Sequence, residues 1–185
     1  GIKLTSKSSV IAGIQSKSDV SCYDRNDGKL DVFAINGRPP YNYYWSTGAS
    51  EKQINNLSAG IYSCTVMDDN GCQFVLNTEI FQPEEIKIQV GSTEDVRCYD
   101  ESNGSIKTNV TGGVPGYTYL WNNFSYTNDD ILNLKAGLYI LTVTDANGCK
   151  QVSPPIQINQ PDPLLVTIDT IIPATCLSGN DGSIQ

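Results

Sequence analysis

The stretch TVMDDNGC, residues 65–72, returns as TVTDANGC, residues 142–149, at a distance of 77 positions (149 − 72). A second motif recurs in the same way, since CYDRNDGKLDV from Cys22 reappears as CYDESNGSIKT from Cys98 and as CLSGNDGSIQ from Cys176. The spacing between these cysteines is nearly constant (98 − 22 = 76 and 176 − 98 = 78). Self-similarity at a nearly fixed period is the signature of a repeat architecture, so the sequence predicts tandem units of about 77 residues.

The repeats divide the 185 residues into four segments. Residues 9–84 and 85–162 are interpreted as two complete repeats, because the landmarks of one have counterparts in the other. We interpret residues 1–8 as the tail of a preceding repeat and residues 163–185 as the start of a third, truncated one. The chain is therefore expected to be a segment of a longer array.

Within each repeat, apolar and polar residues alternate, which is the pattern of β-strands with one buried face. Leu30, Val32 and Ala34 share one such face, and Trp45 has its counterpart in Trp121. Turn sequences rich in Asn, Asp and Gly separate these runs at intervals of roughly 8–12 residues. The sequence thus predicts an all-β fold of tandem immunoglobulin-like β-sandwiches with six or seven strands each.

The connection between the repeats is short. A Gln-Pro pair closes the first repeat at Pro83 and the second at Pro161, and the next alternating run follows at once, so we expect the sandwiches to stack end to end. The second repeat is longer by one residue between Trp121 and Tyr139 and by another at residues 154–155. We expect both insertions to lie between strands or near a strand's start, where they are best tolerated.

The composition excludes several functions. The net charge is −8 with no cluster of Lys or Arg, which removes the electrostatic basis for binding nucleic acid or anionic lipid. No apolar run approaches the length of a membrane-spanning helix, which needs roughly 20 residues, so we predict no membrane insertion of this segment. The sequence contains no histidine, and therefore no Ser-His-Asp or Cys-His catalytic site can form. We predict a non-enzymatic protein.

Two weak ligand signals remain. The loop CYDRNDG from Cys22 resembles the oxygen-rich start of a calcium loop, although it lacks the closing Glu and suits a tight turn equally well. The turn interpretation is favoured, no cofactor is expected, and if calcium binds, its predicted ligands are Asp24, Asp68 and Asp69.

Aromatic side chains on the strand that ends at Trp45 provide the second signal. Tyr41, Tyr43 and Trp45 share the face assigned to the core, whereas Tyr44 lies on the opposite face. If a glycan is bound, the exposed candidates are Tyr44 of the first repeat and Phe124 and Tyr126 of the second.

The cysteines indicate an oxidising, extracellular setting, in which disulfides support small cores. If successive strands alternate in direction, Cys22 and Cys72 lie at the same end of their sandwich, which predicts the disulfides Cys22–Cys72 and Cys98–Cys149. One extra strand would instead separate these cysteines and allow Cys72 to bond Cys98 across the junction.

The two remaining cysteines have no predicted partner. Cys64 replaces Leu141 on an inward face and is expected to be a buried free thiol. Cys176 is expected to be unpaired, because its repeat is cut short.

The combined motifs resemble a known family. The order C-x5-G, then G-x-P-x-Y-x-Y-x-W, then L-x-A-G-x-Y-x3-V-x-D-x-N-G-C, then QP is similar to the SprB repeat of Bacteroidetes cell-surface proteins, and its second half also resembles PKD-type sandwiches. The resemblance covers two repeats and the start of a third. It implies a cell-surface, extracellular adhesin of gliding motility that is exported by type IX secretion, and it carries no catalytic or ligand residues.

Together, repetition and resemblance predict a structural spacer that spans distance and transmits force in a long surface filament. Its expected partners are neighbouring repeats of the same chain, with surface glycans and proteins of the gliding machinery as further candidates. The alternative is an accessory or carbohydrate-binding module of a secreted hydrolase.

Overall fold

The computed structural model describes residues 9–122, 126–173 and 182–184, which form strands and turns with no helix. The predicted preceding tail at residues 1–8 lies outside these described residues, as do Phe124 and Cys176. The first sandwich consists of six strands. They are β1 (Ile11–Ser18), β2 (Gly28–Ile35), β3 (Asn42–Trp45), β4 (Gln53–Leu57), β5 (Gly60–Met67) and β6 (Gln73–Ile80).

The second sandwich repeats this order, but its equivalents of β5 and β6 are each divided into two shorter strands. Its strands are β7 (Lys87–Glu94), β8 (Gly104–Thr111), β9 (Thr118–Trp121), β10 (Ile131–Leu134), β11 (Gly137–Tyr139), β12 (Leu141–Thr144), β13 (Lys150–Val152) and β14 (Ile156–Ile158). A third short hairpin follows, formed by β15 (Ile171–Ile172) and β16 (Ser183–Ile184). In this hairpin Ile171 lies opposite Ile184. In the second repeat the equivalent residues, Thr93 and Ile106, lie opposite each other in the same way.

Each sandwich packs small antiparallel sheets around one core, with two sheets in the first sandwich and three in the second. In the first, the sheets have the strand orders β1-β2-β4 and β3-β5-β6. The predicted inward positions Leu30 and Val32 are completely buried, and Trp45 is buried against them, because period-two alternation turns these side chains to one face. The predicted all-β sandwich with alternating core faces is therefore confirmed.

The same side-chain hydrogen bonds brace both cores. Trp45 donates its indole N–H to the carbonyl of Glu51, and Trp121 donates to that of Asn128, both over 2.9 Å. A buried Trp whose N–H reaches a backbone acceptor loses no hydrogen bond on folding. The two repeats thus fold into equivalent frameworks.

A tyrosine near the start of the long strand makes a second shared brace. The Tyr62 hydroxyl donates to the carbonyl of Ser58, and the Tyr139 hydroxyl to that of Lys135, again over 2.9 Å. Each bond reaches four residues back along the chain, as in the tyrosine corner of immunoglobulin-like sandwiches.

One feature of the topology decides where the cysteines lie. Strands β4 and β1 both run antiparallel to β2, so they point the same way. Strand β6 ends beside β1, where Val20 N donates to Phe81 O over 2.9 Å, and β3 runs parallel to β6 because both pair antiparallel with β5. The consecutive strands β3 and β4 therefore run in the same direction, and the assumed strict alternation is wrong.

The shortness of β3 explains this departure. The strand ends at Trp45 after four residues, and the chain then turns and crosses to the opposite sheet before β4 begins. We call the end of a sandwich where its first strand starts the upper end, and the end where its last strand finishes the lower end. Cys22 lies at the lower end of the first sandwich and Cys72 at its upper end, separated by a strand of eight residues or about 26 Å.

The insertion at residues 154–155 lies between two strands, as expected, but it divides what is one continuous strand in the first repeat. Residues 154–155 interrupt the partner of the long strand, so that β13 and β14 stand where the first sandwich has the continuous β6. The Ser153 hydroxyl compensates for the break by accepting the N–H of Leu141 over 2.9 Å, while Ser153 N donates to Leu141 O over 2.8 Å. The insertion is accommodated inside the ladder because these bonds satisfy the interrupted backbone.

Candidate functional site

The lower end of the first sandwich is a tightly braced loop, residues 19–27. Asp27 accepts the N–H of Ser21 over 2.9 Å, and Asp24, at φ 56°, donates its N–H to the Gln82 side chain over 3.0 Å. Asp19 accepts the N–H of Phe81 over 2.9 Å, and this hydrogen bond is the main cause that lowers the pKa of Asp19. The loop therefore holds Cys22 in a fixed position beside the last strand.

The upper end of the second sandwich is built around a buried carboxylate. Asp145 is 5% exposed, and its oxygens accept three backbone N–H groups, each over 2.9 Å. The donors are Val114, Asn147 and Cys149. A carboxylate that replaces water with several backbone donors fixes the turn around it, so the DANGC turn presents Cys149 in one orientation.

The first sandwich carries the same device at its own upper end. Asp68 is 2% exposed and accepts the N–H groups of Asn70 (3.0 Å), Cys72 (2.8 Å) and Arg38 (3.0 Å). Burial by itself raises the pKa of Asp68, but these three hydrogen bonds outweigh it and lower the pKa below the ordinary value of 3.8.

A glycine brings the neighbouring loop against each carboxylate. Gly37, at φ 63°, lies so close to Asp68 that a Cβ atom would stand 2.5 Å from its Oδ2. Gly113, at φ 61°, has the same relation to Asp145, with 2.9 Å between the two atoms. Only glycine combines this left-handed backbone with this close approach.

The two sandwiches meet where the lower end of the first contacts the upper end of the second. Cys22 and Cys149 form a disulfide across this junction, with a Cα to Cα distance of 5.6 Å and a sequence separation of 127 residues. Beside it, the Asn147 side chain donates to the carbonyl of Ser21 over 2.9 Å. The connecting chain also takes part, because Gly113 N donates to Glu84 O over 2.8 Å. The junction is thus held by a covalent bond and by hydrogen bonds.

The predicted pairings Cys22–Cys72 and Cys98–Cys149 are wrong, and Cys72 and Cys98 are free thiols in this structure. The reason is the parallel course of β3 and β4, which puts the two cysteines of one sandwich at opposite ends. The alternative pairing of Cys72 with Cys98 is not formed either, because these residues lie at the two outer ends of the pair of sandwiches. The bond joins repeats instead of closing one repeat.

A cleft of about 520 Å³ opens beside the disulfide, between the lower loop of the first sandwich and the DANGC turn of the second. Its charged lining is mixed, with Arg25 and Lys150 opposite Glu84 and Glu85. Positive and negative side chains thus both line the cleft, and it concentrates charge of neither sign.

The three candidate calcium ligands do not lie together. Asp24 lies at the lower end of the first sandwich, whereas Asp68 and Asp69 lie at its upper end. Asp69 forms an ion pair with Arg38 over 3.1 Å, and Asp68 is occupied by backbone donors. Among the residues that the structure describes, no three potential metal-ligating side chains come together.

The predicted glycan residues do not form one platform. Tyr44 projects from the outer face of β3 and is 51% exposed, as its position on the alternating strand requires. Tyr126 is half-buried and packs against the core of the second sandwich. The third candidate, Phe124, lies outside the described residues.

The prediction for Cys64 is confirmed. This residue is a free cysteine, completely buried in the core of the first sandwich at the position that Leu141 occupies in the second. Burial raises the pKa of the Cys64 thiol, which keeps it protonated and unreactive. It therefore differs from the two free cysteines at the outer ends.

Comparison with known families gives a match within each sandwich. Two segments match the SprB repeat. They are residues 14–50 and 90–125, one in each sandwich, and both contain the lower-loop cysteine of their repeat. The predicted resemblance to the SprB repeat is confirmed, and this repeat implies a cell-surface protein. No helix long and apolar enough to cross a membrane occurs within the described part of the chain. No curated protein matches the sequence.

Solved structures with similar folds are tandem immunoglobulin-like or fibronectin-like domains. Sidekick-1 immunoglobulin domains 1–5 match at 13% identity and a TM-score of 0.39, over 85% of this chain and 40% of that chain. The amphioxus IgVJ-C2 molecule matches at 14% identity and 0.34, over 84% and 99%. The Clostridium thermocellum CbhA fibronectin(III)-like modules match at 9% identity and 0.32, over 81% and 95%. The chain spans 40% and 51% of the lengths of the two Sidekick-1 structures.

Proposed function

We propose that this chain is a force-transmitting spacer from the stalk of a long extracellular surface adhesin, and that it has no enzymatic activity. The observation that carries the proposal is the Cys22–Cys149 disulfide, which joins consecutive repeats covalently at their junction. A stalk needs units that add length and stay connected under load. An identical fold in each unit and a cross-link between units meet both needs.

The disulfide changes the path of a pulling force. Tension that enters at the first strand reaches Cys22 directly after β1 and passes through the sulfur atoms to Cys149. The chain between these two residues then carries no load, although it contains most of both sandwiches. Unfolding by force is restricted to β1 and to the strands that follow Cys149, so the segment stays short under tension.

The surroundings of a cell-surface protein suit this design. An extracellular, oxidising medium maintains disulfides that a cytosolic medium would reduce. The net charge of −8 also disfavours adsorption to anionic surfaces along the stalk. Roles in gliding motility and export by type IX secretion belong to the proposal through the SprB repeat and have no residue of their own in this segment.

Single-molecule force spectroscopy tests the mechanical role. Pulled from its two ends, the oxidised chain should release less length than the reduced chain, and 127 residues correspond to about 460 Å of extended chain. The double variant Cys72→Ser, Cys98→Ser is the matched control, since it removes two thiols and leaves the junction bond intact. Equal released lengths in oxidised and reduced protein would contradict the proposal.

The second candidate function is a carbohydrate-binding module attached to a secreted hydrolase. The exposed Tyr44 ring on the outer face of β3 favours it, because aromatic rings on flat sheets stack against sugars. A glycan array separates the two functions. Saccharide binding that is lost in Tyr44→Ala and kept in the equivalent Leu120→Ala would support the module, and no binding would support the spacer.

A further inference from the structure

The two free cysteines at the outer ends are the repeat equivalents of the two bonded ones. Cys98 follows Cys22 by one repeat period (98 − 22 = 76), and Cys72 precedes Cys149 by one period as well (149 − 72 = 77). Cys98 is exposed at the lower end of the second sandwich, and Cys72 is half-buried at the upper end of the first. Each cysteine of the junction disulfide therefore has an equivalent in the other sandwich, and neither equivalent has a bonding partner beside it.

The lower end of the second sandwich has the shape that the bonded loop has in the first. Arg97 N donates to Asn103 over 2.9 Å, as Ser21 N does to Asp27. Asp100 N donates to the Gln160 side chain over 3.0 Å at φ 57°, close to the φ of 56° at Asp24. Cys98 is thus held as Cys22 is held, and it needs no rearrangement to bond.

The upper end of the first sandwich likewise matches the bonded end of the second. Cys72 N donates to the buried Asp68 as Cys149 N does to Asp145. Asn70 stands where Asn147 donates its side-chain N–H across the junction. The turn with Cys72 therefore offers the same covalent and hydrogen-bonding groups as the turn that is already docked.

The end of the chain indicates which unit would lie against Cys98. Residues 171–172 and 183–184 form a hairpin in the register of the other two repeats, directly after the second sandwich. A third repeat thus follows the second in the chain, as the second follows the first. Its turn cysteine would follow Cys149 by about one period, as Cys149 follows Cys72.

We propose that the cross-repeat disulfide recurs at every junction, so that Cys98 bonds the turn cysteine of a following repeat and Cys72 bonds the loop cysteine of a preceding one. In each bond two thiols are oxidised to one cystine. The two electrons and two protons pass by thiol–disulfide exchange to a small-molecule or protein disulfide, which is reduced to two thiols. These bonds require neighbouring repeats, but they do not depend on whether the array bears force.

The resulting bonds overlap along the chain. The bond at Cys72 leads back to the preceding repeat and the bond at Cys98 leads on to the following one, and only the short segment from Cys72 to Cys98 lies between them. A path along covalent bonds can therefore pass two repeats through the disulfides. Of the backbone of these two repeats it needs only the segment from Cys72 to Cys98. A ladder of this kind limits extension even when every sandwich has unfolded.

A lengthened chain tests the inference. A copy of residues 9–84 is inserted after residue 162 of a full chain that carries Cys72→Ser, so that the Cys72 peptide comes from the copy alone. The protein is oxidised with oxidised glutathione, and free thiols are alkylated before non-reducing peptide mapping. We expect one peptide that links Cys98 to the Cys72 of the copy, together with the original Cys22–Cys149 peptide, which reports correct folding in the same molecule.

A second lengthened chain guards against failure of the first to fold. It receives a copy of residues 85–162 at the same place, in which Ser102→Thr and Thr144→Ser mark the two cysteine peptides by their mass. It should link the original Cys98 to the Cys149 of that copy. In either chain, replacing the copy's turn cysteine by Ser should restore alkylation of Cys98 to the level of the unmodified chain. A bond between the two cysteines inside the inserted copy, or Cys98 alkylated in both lengthened chains, would overturn the inference.

Discussion

The two sandwiches share one framework, yet their equivalent cysteines are in opposite states. At the lower ends, Cys22 is 8% exposed and bonded, whereas Cys98 is exposed and free. At the upper ends, Cys149 is bonded and Cys72 is free. Since the local hydrogen bonds are the same, the unit itself does not determine the state of its cysteines. In this chain a cysteine at a sandwich end is bonded where the other sandwich docks against it and free where none does.

Loss of the junction disulfide should lower the stability of the chain more than any other substitution considered below. Cys22→Ser removes the junction bond, and the chain-entropy model assigns a loop of 127 residues about 5 kcal/mol of stabilisation. We expect the free energy of unfolding to fall by up to this amount in guanidinium titrations under oxidising conditions. Cys98→Ser is the matched control at the equivalent position and should leave the titration unchanged. Equal losses in both variants would show that the two positions do not differ.

The next effect concerns the equivalent core positions Cys64 and Leu141. Both side chains are completely buried, but leucine is the larger, so truncation leaves a larger cavity in the second sandwich. We expect Leu141→Ala to cost about 3 kcal/mol and Cys64→Ala about 1 kcal/mol in the same titrations. Equal costs would mean that the second core collapses around the missing atoms as readily as the first.

A smaller loss is expected from the buried carboxylate of the docked turn. Asp145→Ala leaves three backbone N–H groups without their acceptor and should cost about 2 kcal/mol. Asp145→Asn keeps one carbonyl oxygen at the site and should cost less. Thermal unfolding of the two variants beside the unchanged chain measures both values. If the Ala and Asn variants are equally stable, the oxygen acceptors do not hold this turn.

The smallest effect is the acid response of the first sandwich. The folded state lowers the pKa of Asp68, so its contribution is present above the ordinary value of 3.8 and is lost as the pH falls through the folded pKa. Asp68→Asn removes the titration. The difference in Tm between the unchanged chain and this variant should therefore be largest near neutral pH and shrink below pH 3.8. A difference that stays constant down to pH 2 would contradict the assignment.

Much of this structure is predictable from the sequence, because alternation is a local property. The buried faces of Leu30 and Val32 follow from period two alone, and the burial of Cys64 follows from its alignment with Leu141. The outward position of Tyr44 follows from the same rule. These features depend only on which face a residue takes within its own strand.

The ends of the strands are harder to predict, since they depend on how the chain crosses between sheets. Strand β3 stops after four residues at Trp45, and no residue pattern signals that β4 continues in the same direction. That single crossing moves Cys72 to the far end from Cys22 and separates Asp24 from Asp68. For this one reason the predicted disulfide pairs do not form and the three candidate calcium ligands do not come together.

The pairing of the cysteines is the most direct test of this account. The oxidised chain is alkylated under denaturing conditions without reductant, digested, and mapped by mass spectrometry before and after reduction. We expect one peptide that links Cys22 to Cys149, with Cys64, Cys72 and Cys98 recovered as alkylated thiols. Peptides that link Cys22 to Cys72 and Cys98 to Cys149 would contradict it, because each repeat would then be closed on itself and the junction would carry no covalent bond.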